Sequence, residues 1–357
     1  MNPMSLLDRY IGRTVLLNVG IVMAVLLALF FFVGFVEEAD KIGRGRYTTL
    51  SAMEYTFLRL PQQAYELFPL GALLGAVLGL GALASNSELI VMRASGMSLT
   101  RIAGAVMKTG LLLMAVMFLI GEVLAPPVVQ YATERRAMAL SAQISLNTGQ
   151  GLWARDGDTF INVRRVESDG RLVGIRLYDF DGDQRMQRLT QARSARFRDG
   201  QWRLRQVRQT DFQDTGLVST ELTELAWESL LSPQLVNVVA VKPQTLALWD
   251  LKQYIQYLHD NGLSAERHEL AYWSKLVAPF TTGAMVFLAI PFVFGSLRSV
   301  PMGQRVLGGF LVGVAFYIIN LIGSRAGLVY AVPPLLSASL PTAVTFAVGL
   351  WWLRRVR

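Results

Sequence analysis

TVLLNVGIVMAVLLALFFFVGFV, residues 14–36, carries no charged side chain over 23 positions. A helix rises about 1.5 Å per residue, so this stretch can cross roughly 30 Å of hydrocarbon. It is too long for the core of a signal peptide and lacks a small-residue cleavage site, so it reads as a retained spanning helix. Five further apolar runs follow at 66–85, 102–125, 275–295, 306–322 and 333–353. Charged residues make up only 17% of the 357, against about 25% in soluble chains, and the deficit is concentrated in these runs. The expected fold is an α-helical integral membrane protein with six transmembrane helices.

Six crossings put both termini on one side. The termini and the loops 86–101 and 296–305 carry nine arginines: Arg9, Arg13, Arg93, Arg101, Arg298, Arg305, Arg354, Arg355 and Arg357. The short segments on the other face carry five basic residues: Lys41, Arg44, Arg46, Arg59 and Arg325. The bias predicts cytoplasmic termini. The long segment 126–274 then lies outside, and there the hydrophobic period switches to two. In TFINVRRV, Ile161 and Val163 alternate with Phe160 and Asn162; RFRDGQWRLRQV repeats the pattern with Phe197, Trp202, Leu204 and Val207. Asp-Gly pairs at 156–157, 169–170, 181–182 and 199–200 mark tight turns between strands. An inserted antiparallel β-domain, sandwich or jellyroll-like, is expected. After Pro243 an amphipathic helix places Leu248, Leu251, Tyr254, Ile255 and Leu258 on one face, closed by Asn261-Gly262. The chain divides at 1–137 (spans one to three, with a short helix at about 86–96), 138–245 (the β-domain) and 246–357 (linker helix and spans four to six).

Several function classes drop out. The net charge of +8 suits basic anchoring of membrane loops, so no nucleic-acid partner is expected. Cysteine is absent, which removes disulfides, thiolate nucleophiles and cysteine metal sites. No GxxxxGKS/T phosphate loop is present, so the chain does not hydrolyse ATP by that route. His259 and His268 are the only histidines and lack zinc-peptidase spacing. Glu66 and Glu122 lie near span ends, shallow for a proton relay. These residues favour a conduit or scaffold driven from elsewhere, with no catalytic residue, metal or cofactor of its own.

ASNSELIVMRASGMSLTR, residues 84–101, interrupts the apolar runs with a small amphipathic helix. Ser87 is placed to cap it, Glu88 suits its positive start, Leu89, Met92 and Arg93 share a side, and Gly96 can end it in a left-handed conformation. Such a helix can rest on the membrane surface or fill a groove on a cytoplasmic partner.

LLDRYIGRT at 6–14, LGALLGAVLGLGALASNSELIVMRASG at 70–96, QGLWARDG at 150–157 and FGSLRSVPMGQRV at 294–306 together resemble the LptF/LptG permease family of lipopolysaccharide export, on its G-type side. The likeness covers the whole chain. It implies a bacterial inner-membrane half-transporter with a periplasmic jellyroll. It also implies pairing with an LptF-type subunit, two copies of the cytoplasmic ATPase LptB, which bind ATP and Mg, and the periplasmic partner LptC. Ser87, Glu88, Leu89, Val91, Met92, Arg93, Ala94 and Gly96 would then couple to the ATPase. SLRSVPMGQR at 296–305 would be a minor contact or a plain connector.

A lipopolysaccharide site needs an apolar chamber topped by cations, because charge-assisted contacts to phosphate are about twice as strong as neutral ones. The resemblance implies Lys41 and Arg136 as head-group contacts; position adds Arg44 and Arg135. It also implies that spans one and five form lateral openings. Phe30, Phe31 and Phe32 on span one, with Phe316, Tyr317 and Asn320 on span five, are candidates to line them. Leu67 and Phe68 could meet acyl chains. G-type members can carry basic residues where this chain has Gly34 and Asp40, so its cationic rim is thinner. Trp153, Ile161, Val163, Ile175, Leu177, Phe197, Trp202, Leu204 and Phe212 are candidates for the β-domain interior. A competing reading is a non-transporting envelope sensor or scaffold coupled to a cytoplasmic ATPase.

Overall fold

The computed structural model describes residues 6–140, 152–156, 158–167, 170–181, 185–198, 201–213, 216–227, 243–294 and 301–355. Six helices are long and apolar enough to cross a membrane. They are α1 (Leu6–Ala39), α3 (Leu60–Ser85), α5 (Leu99–Leu119) running on into α6 (Ala125–Leu140), α8 (Glu266–Phe294), α9 (Met302–Val329) and α10 (Pro334–Arg355). Each matches its expected run to within one residue at one end or covers it fully, and most extend past it, because the ends of a spanning helix can be polar once they leave the hydrocarbon. α1, at 34 residues, is about 51 Å long. Between α5 and α6 the chain widens into a π turn, Ile120–Leu124. Pro126 and Pro127 follow it and cannot donate to the carbonyls one turn back, so the ladder must rearrange there.

The short helix α2 (Thr49–Leu58) follows α1, and Thr48 caps it by accepting from the Ser51 N–H. α4 (Glu88–Ala94) joins α3 to α5. Contacts fix which ends lie together. Tyr10 and Asp8, at the start of α1, meet Glu88 on α4 and Arg101 on α5. At the far end, Glu38 meets Arg136 on α6, and the Arg46 N–H donates to the Ala139 carbonyl. Both chain ends and α4 therefore share one end of the bundle, and the β insertion leaves from the other.

α3 and α8 are the central helices: 67% and 78% of their apolar windows are buried, against 22% for α1 and 11% for α9. Their glycines make close packing possible. A Cβ on Gly75 of α3 would lie 2.4 Å from the Val19 Cα of α1, so the two backbones touch there. The membrane core runs through Val15, Val19, Ala72, Ala76, Val106, Leu113, Val286 and Ile290.

The insertion is a six-stranded antiparallel sheet in sequence order: β1 (Leu152–Asp156), β2 (Thr159–Val166), β3 (Leu172–Phe180), β4 (Met186–Arg198), β5 (Gln201–Gln213) and β6 (Gly216–Trp227). An Asp-Gly pair falls at each of the first four junctions between strands, where the sequence reading expects the turns. Alternation puts Ile161, Val163, Ile175, Leu177, Trp202 and Leu204 on the buried face, and a change of phase at Gln206 (φ 52°) brings Val207 onto it; Tyr254, Tyr257 and Leu258 of α7 (Leu248–Asp260) cover them. Among the described residues the connectivity is a meander of neighbouring hairpins. Two of the expected interior residues lie elsewhere. Trp153 is exposed because it pairs with Asn162, between the inward Ile161 and Val163, and so falls on the outer face, where it stacks on Tyr178 at 5.7 Å; Phe212 is exposed near the β5–β6 hairpin. Phe197 is half-buried, edge-on to Trp202.

Candidate functional site

α4 is anchored on one side and open on the other. α3 ends at Ser85, and the chain reverses through Ser87 in the left-handed region, φ 61°. Ser87 is therefore not the side-chain cap that the sequence suggests: its hydroxyl caps nothing, and its carbonyl accepts from the Ile90 and Val91 N–H groups. Glu88 accepts from the Tyr10 hydroxyl of α1 at 2.8 Å. Leu89, only 3% exposed, packs into the membrane core with Met92 beside it, so these two seat the helix internally. Val91 is 65% exposed, and Arg93 and Ala94 are exposed with it. Gly96, at φ +92°, closes the helix as expected, and Ser98 caps α5 by accepting from the Arg101 N–H. Only one face of the expected coupling set is thus open to a partner. The connector 296–300 lies outside the described residues.

At the opposite end the expected cations gather around Glu38. Lys41 Nζ is 2.7 Å from Glu38 Oε1; Arg136 Nε donates to Oε2 at 2.9 Å, and Tyr47 Oη donates to the same oxygen at 3.0 Å. Burial, and then the hydrogen bond to Glu38, raise the Tyr47 phenol well above its ordinary pKa, so it remains a donor. Arg135 pairs with Glu54 and lies over the Tyr131 ring. Two cations sharing one carboxylate leave a net positive charge. Arg44 is exposed, and its side chain makes no hydrogen bond or ion pair among the described residues. A cavity of about 350 Å³ opens beside this cluster, lined by Arg46, Tyr47, Glu54, Tyr55, Arg135 and Arg136.

The apolar candidates divide by burial. α1 and α9 both pack on α3, at Gly75 and at Gly313, whose added Cβ would lie 2.2 Å from Leu70 Cδ1. On α9, Tyr317 is 63% exposed while Phe316 and Asn320 are half-buried. On α1, Phe30 and Phe32 are exposed and Phe31 is half-buried. Phe68 is 4% exposed and belongs to the core, so it does not present a surface to acyl chains; Leu67 next to it is half-buried.

Two buried ionic clusters within the helical bundle do not emerge from the sequence reading. Lys275 of α8 and Glu122 of the π turn are 2.7 Å apart, with side chains 5% and 12% exposed. Lys275 also donates to the Leu246 and Gly121 carbonyls, and Glu122 accepts from the Leu248 N–H. Asp8 of α1 is buried between Lys108 at 2.6 Å and Arg101 at 3.2 Å. A charge inside an apolar run normally calls for a partner, and Lys108 and Lys275 were legible by that rule.

A six-span bundle with an extramembranous β insertion, an exposed connecting helix and two open flanking spans defines a polytopic transport subunit of the permease type. A family model described as lipopolysaccharide export system permease LptF/LptG matches residues 9–355, and the chain belongs to that family. The chain is 40% identical over 358 residues to the lipopolysaccharide export system permease protein LptG of Escherichia coli, covering 99% of each chain. It is 38% identical over 349 residues to the protein of the same name from Haemophilus influenzae, covering 97% of each.

Proposed function

We propose that this chain is one transmembrane half of an ATP-driven permease. It takes lipopolysaccharide from the inner membrane and passes it to a periplasmic bridge toward the outer membrane. It works with an LptF-type subunit, two copies of LptB and LptC; both termini and α4 are cytoplasmic and the sheet is periplasmic. The names of the relatives support the cargo. The observation that carries the mechanics is the Tyr10–Glu88 hydrogen bond, which ties the open helix α4 to α1, the sparsely buried flanking span. A force on the exposed Val91–Arg93 face would reach α1 through that bond and through Leu89.

Glu88→Lys is expected to weaken co-purification of the ATPase and to abolish ATP-dependent lipopolysaccharide release from proteoliposomes, with the sheet still folded. Tyr10→Phe serves as the control: it should keep the ATPase bound while uncoupling hydrolysis from release. Unchanged docking and release in Glu88→Lys would remove α4 from the ATPase interface.

The Glu38 cluster is the proposed head-group site, with Lys41 and Arg136 lent to phosphate and Arg44 and Arg135 beside them. Lys41→Glu with Arg136→Glu should lower lipopolysaccharide photo-crosslinking at this end by about tenfold, as loss of roughly 1.4 kcal/mol would give. Full crosslinking in the double variant would place the head group elsewhere.

A further inference from the structure

A groove unrelated to the Glu38 cluster lies at the other end of the bundle, between α1 and α5. It holds about 960 Å³ and is lined almost wholly by apolar atoms, among them those of Leu16, Leu17, Leu111 and Leu112. Its basic residues are Arg9, Arg13 and Lys108. Lys108 is held at 2.6 Å by the buried Asp8, which fixes its height against the start of α1. Arg9 and Arg13 are exposed, and their side chains make no hydrogen bond or ion pair among the described residues. Four residues apart, they sit one above the other on the same helix face. The groove continues along α1 to Gly20 and Ala24, and a Cβ on Gly20 would meet nothing within 4 Å, so that wall is open. From Arg9 to Ala24 α1 rises about 22 Å, more than the roughly 15 Å of one leaflet's hydrocarbon.

We propose that this groove binds an anionic glycerophospholipid of the leaflet at which both chain ends emerge, with its phosphate on Arg9 and Arg13 and an acyl chain along Leu16, Leu17 and Gly20. Charge complementarity selects this occupant. Two unpartnered guanidiniums stand at the membrane-boundary end of an apolar trough, matching a lipid with charge at one end and hydrocarbon beyond. A partner helix would fit only if it placed carboxylates at that same level. Arginine is suited to phosphate because its fork can donate two parallel hydrogen bonds. The proposal concerns a resident bilayer lipid and is independent of what the permease exports.

Native mass spectrometry of the detergent-solubilised full chain, mixed with phosphatidylglycerol, phosphatidylethanolamine or lipopolysaccharide, tests it. One phosphatidylglycerol should be retained in preference to phosphatidylethanolamine by roughly thirtyfold, as two surface-level arginines would give. Arg9→Gln with Arg13→Gln should remove the preference, whereas Arg354→Gln with Arg355→Gln, at the same face but outside the groove, should keep it. Gly20→Phe should lower retention of both phospholipids with every charge in place. Equal retention of the two phospholipids, insensitivity to Arg9 and Arg13, or stronger retention of lipopolysaccharide would overturn the assignment. So would capture of a protein instead of lipid by a photo-crosslinker at Leu17 in native membranes.

Discussion

Lys275→Met is expected to destabilise the folded chain by about 3–5 kcal/mol, the usual result of stranding one member of a buried ion pair. The geometry explains why the effect should fall at the top of that range. The π turn at Ile120–Leu124 leaves the Gly121 carbonyl pointing toward Lys275, and the Leu246 carbonyl accepts from the same ammonium at 2.6 Å. Removing Lys275 therefore strands a carboxylate and two carbonyls together. Glu122→Leu should cost a similar amount, since Lys275 would then keep only its carbonyls and the Leu248 N–H would lose its acceptor. The double variant separates charge from hydrogen bonding. Were the pair only a Coulombic contact, two apolar replacements would restore stability. Here the carbonyls and the N–H remain unsatisfied at about 1–3 kcal/mol each, so recovery should be partial. Unfolding of the full chain by SDS titration reads all three variants. Changes within about 0.5 kcal/mol for each single variant, the size of an ordinary surface substitution, would mean the pair is solvated. The network also ties Leu246 and Leu248, where the chain returns from the sheet, to α8 and the π turn. A weakened pair should accordingly loosen the seating of the sheet before it melts the bundle.

What the sequence made legible, and what it did not, follows from how local each signal is. TVLLNVGIVMAVLLALFFFVGFV announces a span by length alone, and the period-two alternation of Ile161, Val163, Trp202 and Leu204 selects the buried face of the sheet. Both patterns are written within one element. Glu38, by contrast, becomes a hub only because α6, continuing α5, brings Arg136 beside the end of α1, and no local pattern joins the two. The same holds for Lys275 with Glu122 and for Asp8 with Lys108. α4 shows an intermediate case. Its existence and its Gly96 terminus are local, but a helix of two turns is too short for periodicity to tell anchoring Leu89 from open Val91. Burial of Phe68 was illegible for a further reason. Apolar residues face lipid and core alike in a membrane helix, so composition cannot sort them, and only the close approach of α3 to its neighbours does.

Gly75→Ala is expected to cost about 1–3 kcal/mol, the range for overpacking, because the added methyl would meet backbone. Its Cβ would lie 2.4 Å from the Val19 Cα and 2.6 Å from the Val19 nitrogen, and no rotamer change can relieve that. Two neighbouring glycines supply controls with opposite geometry. At Gly71 the nearest atom is the Met23 sulfur at 2.2 Å, the far end of a flexible thioether that can swing aside, so Gly71→Ala should cost less. At Gly20 nothing lies within 4 Å, and Gly20→Ala should be neutral or stabilising by up to about 1 kcal/mol through helix propensity. The ordering Gly75, Gly71, Gly20 thus depends on what the methyl meets, since all three changes are chemically identical. The same substitution also bears on transport. If α1 is the span that moves when α4 is pulled, prying it from α3 at Gly75 should favour the parted arrangement without any nucleotide. The chain has no cysteine, so single cysteines at the exposed positions Ile21 and Ile318 can carry spin labels cleanly. Gly75→Ala should shift the α1–α9 distance distribution in resting complexes, whereas Gly20→Ala leaves it in place. An unshifted distribution in a Gly75→Ala chain that is nonetheless destabilised would mean that α1 and α3 move as one body, and that the opening lies on the α9 side.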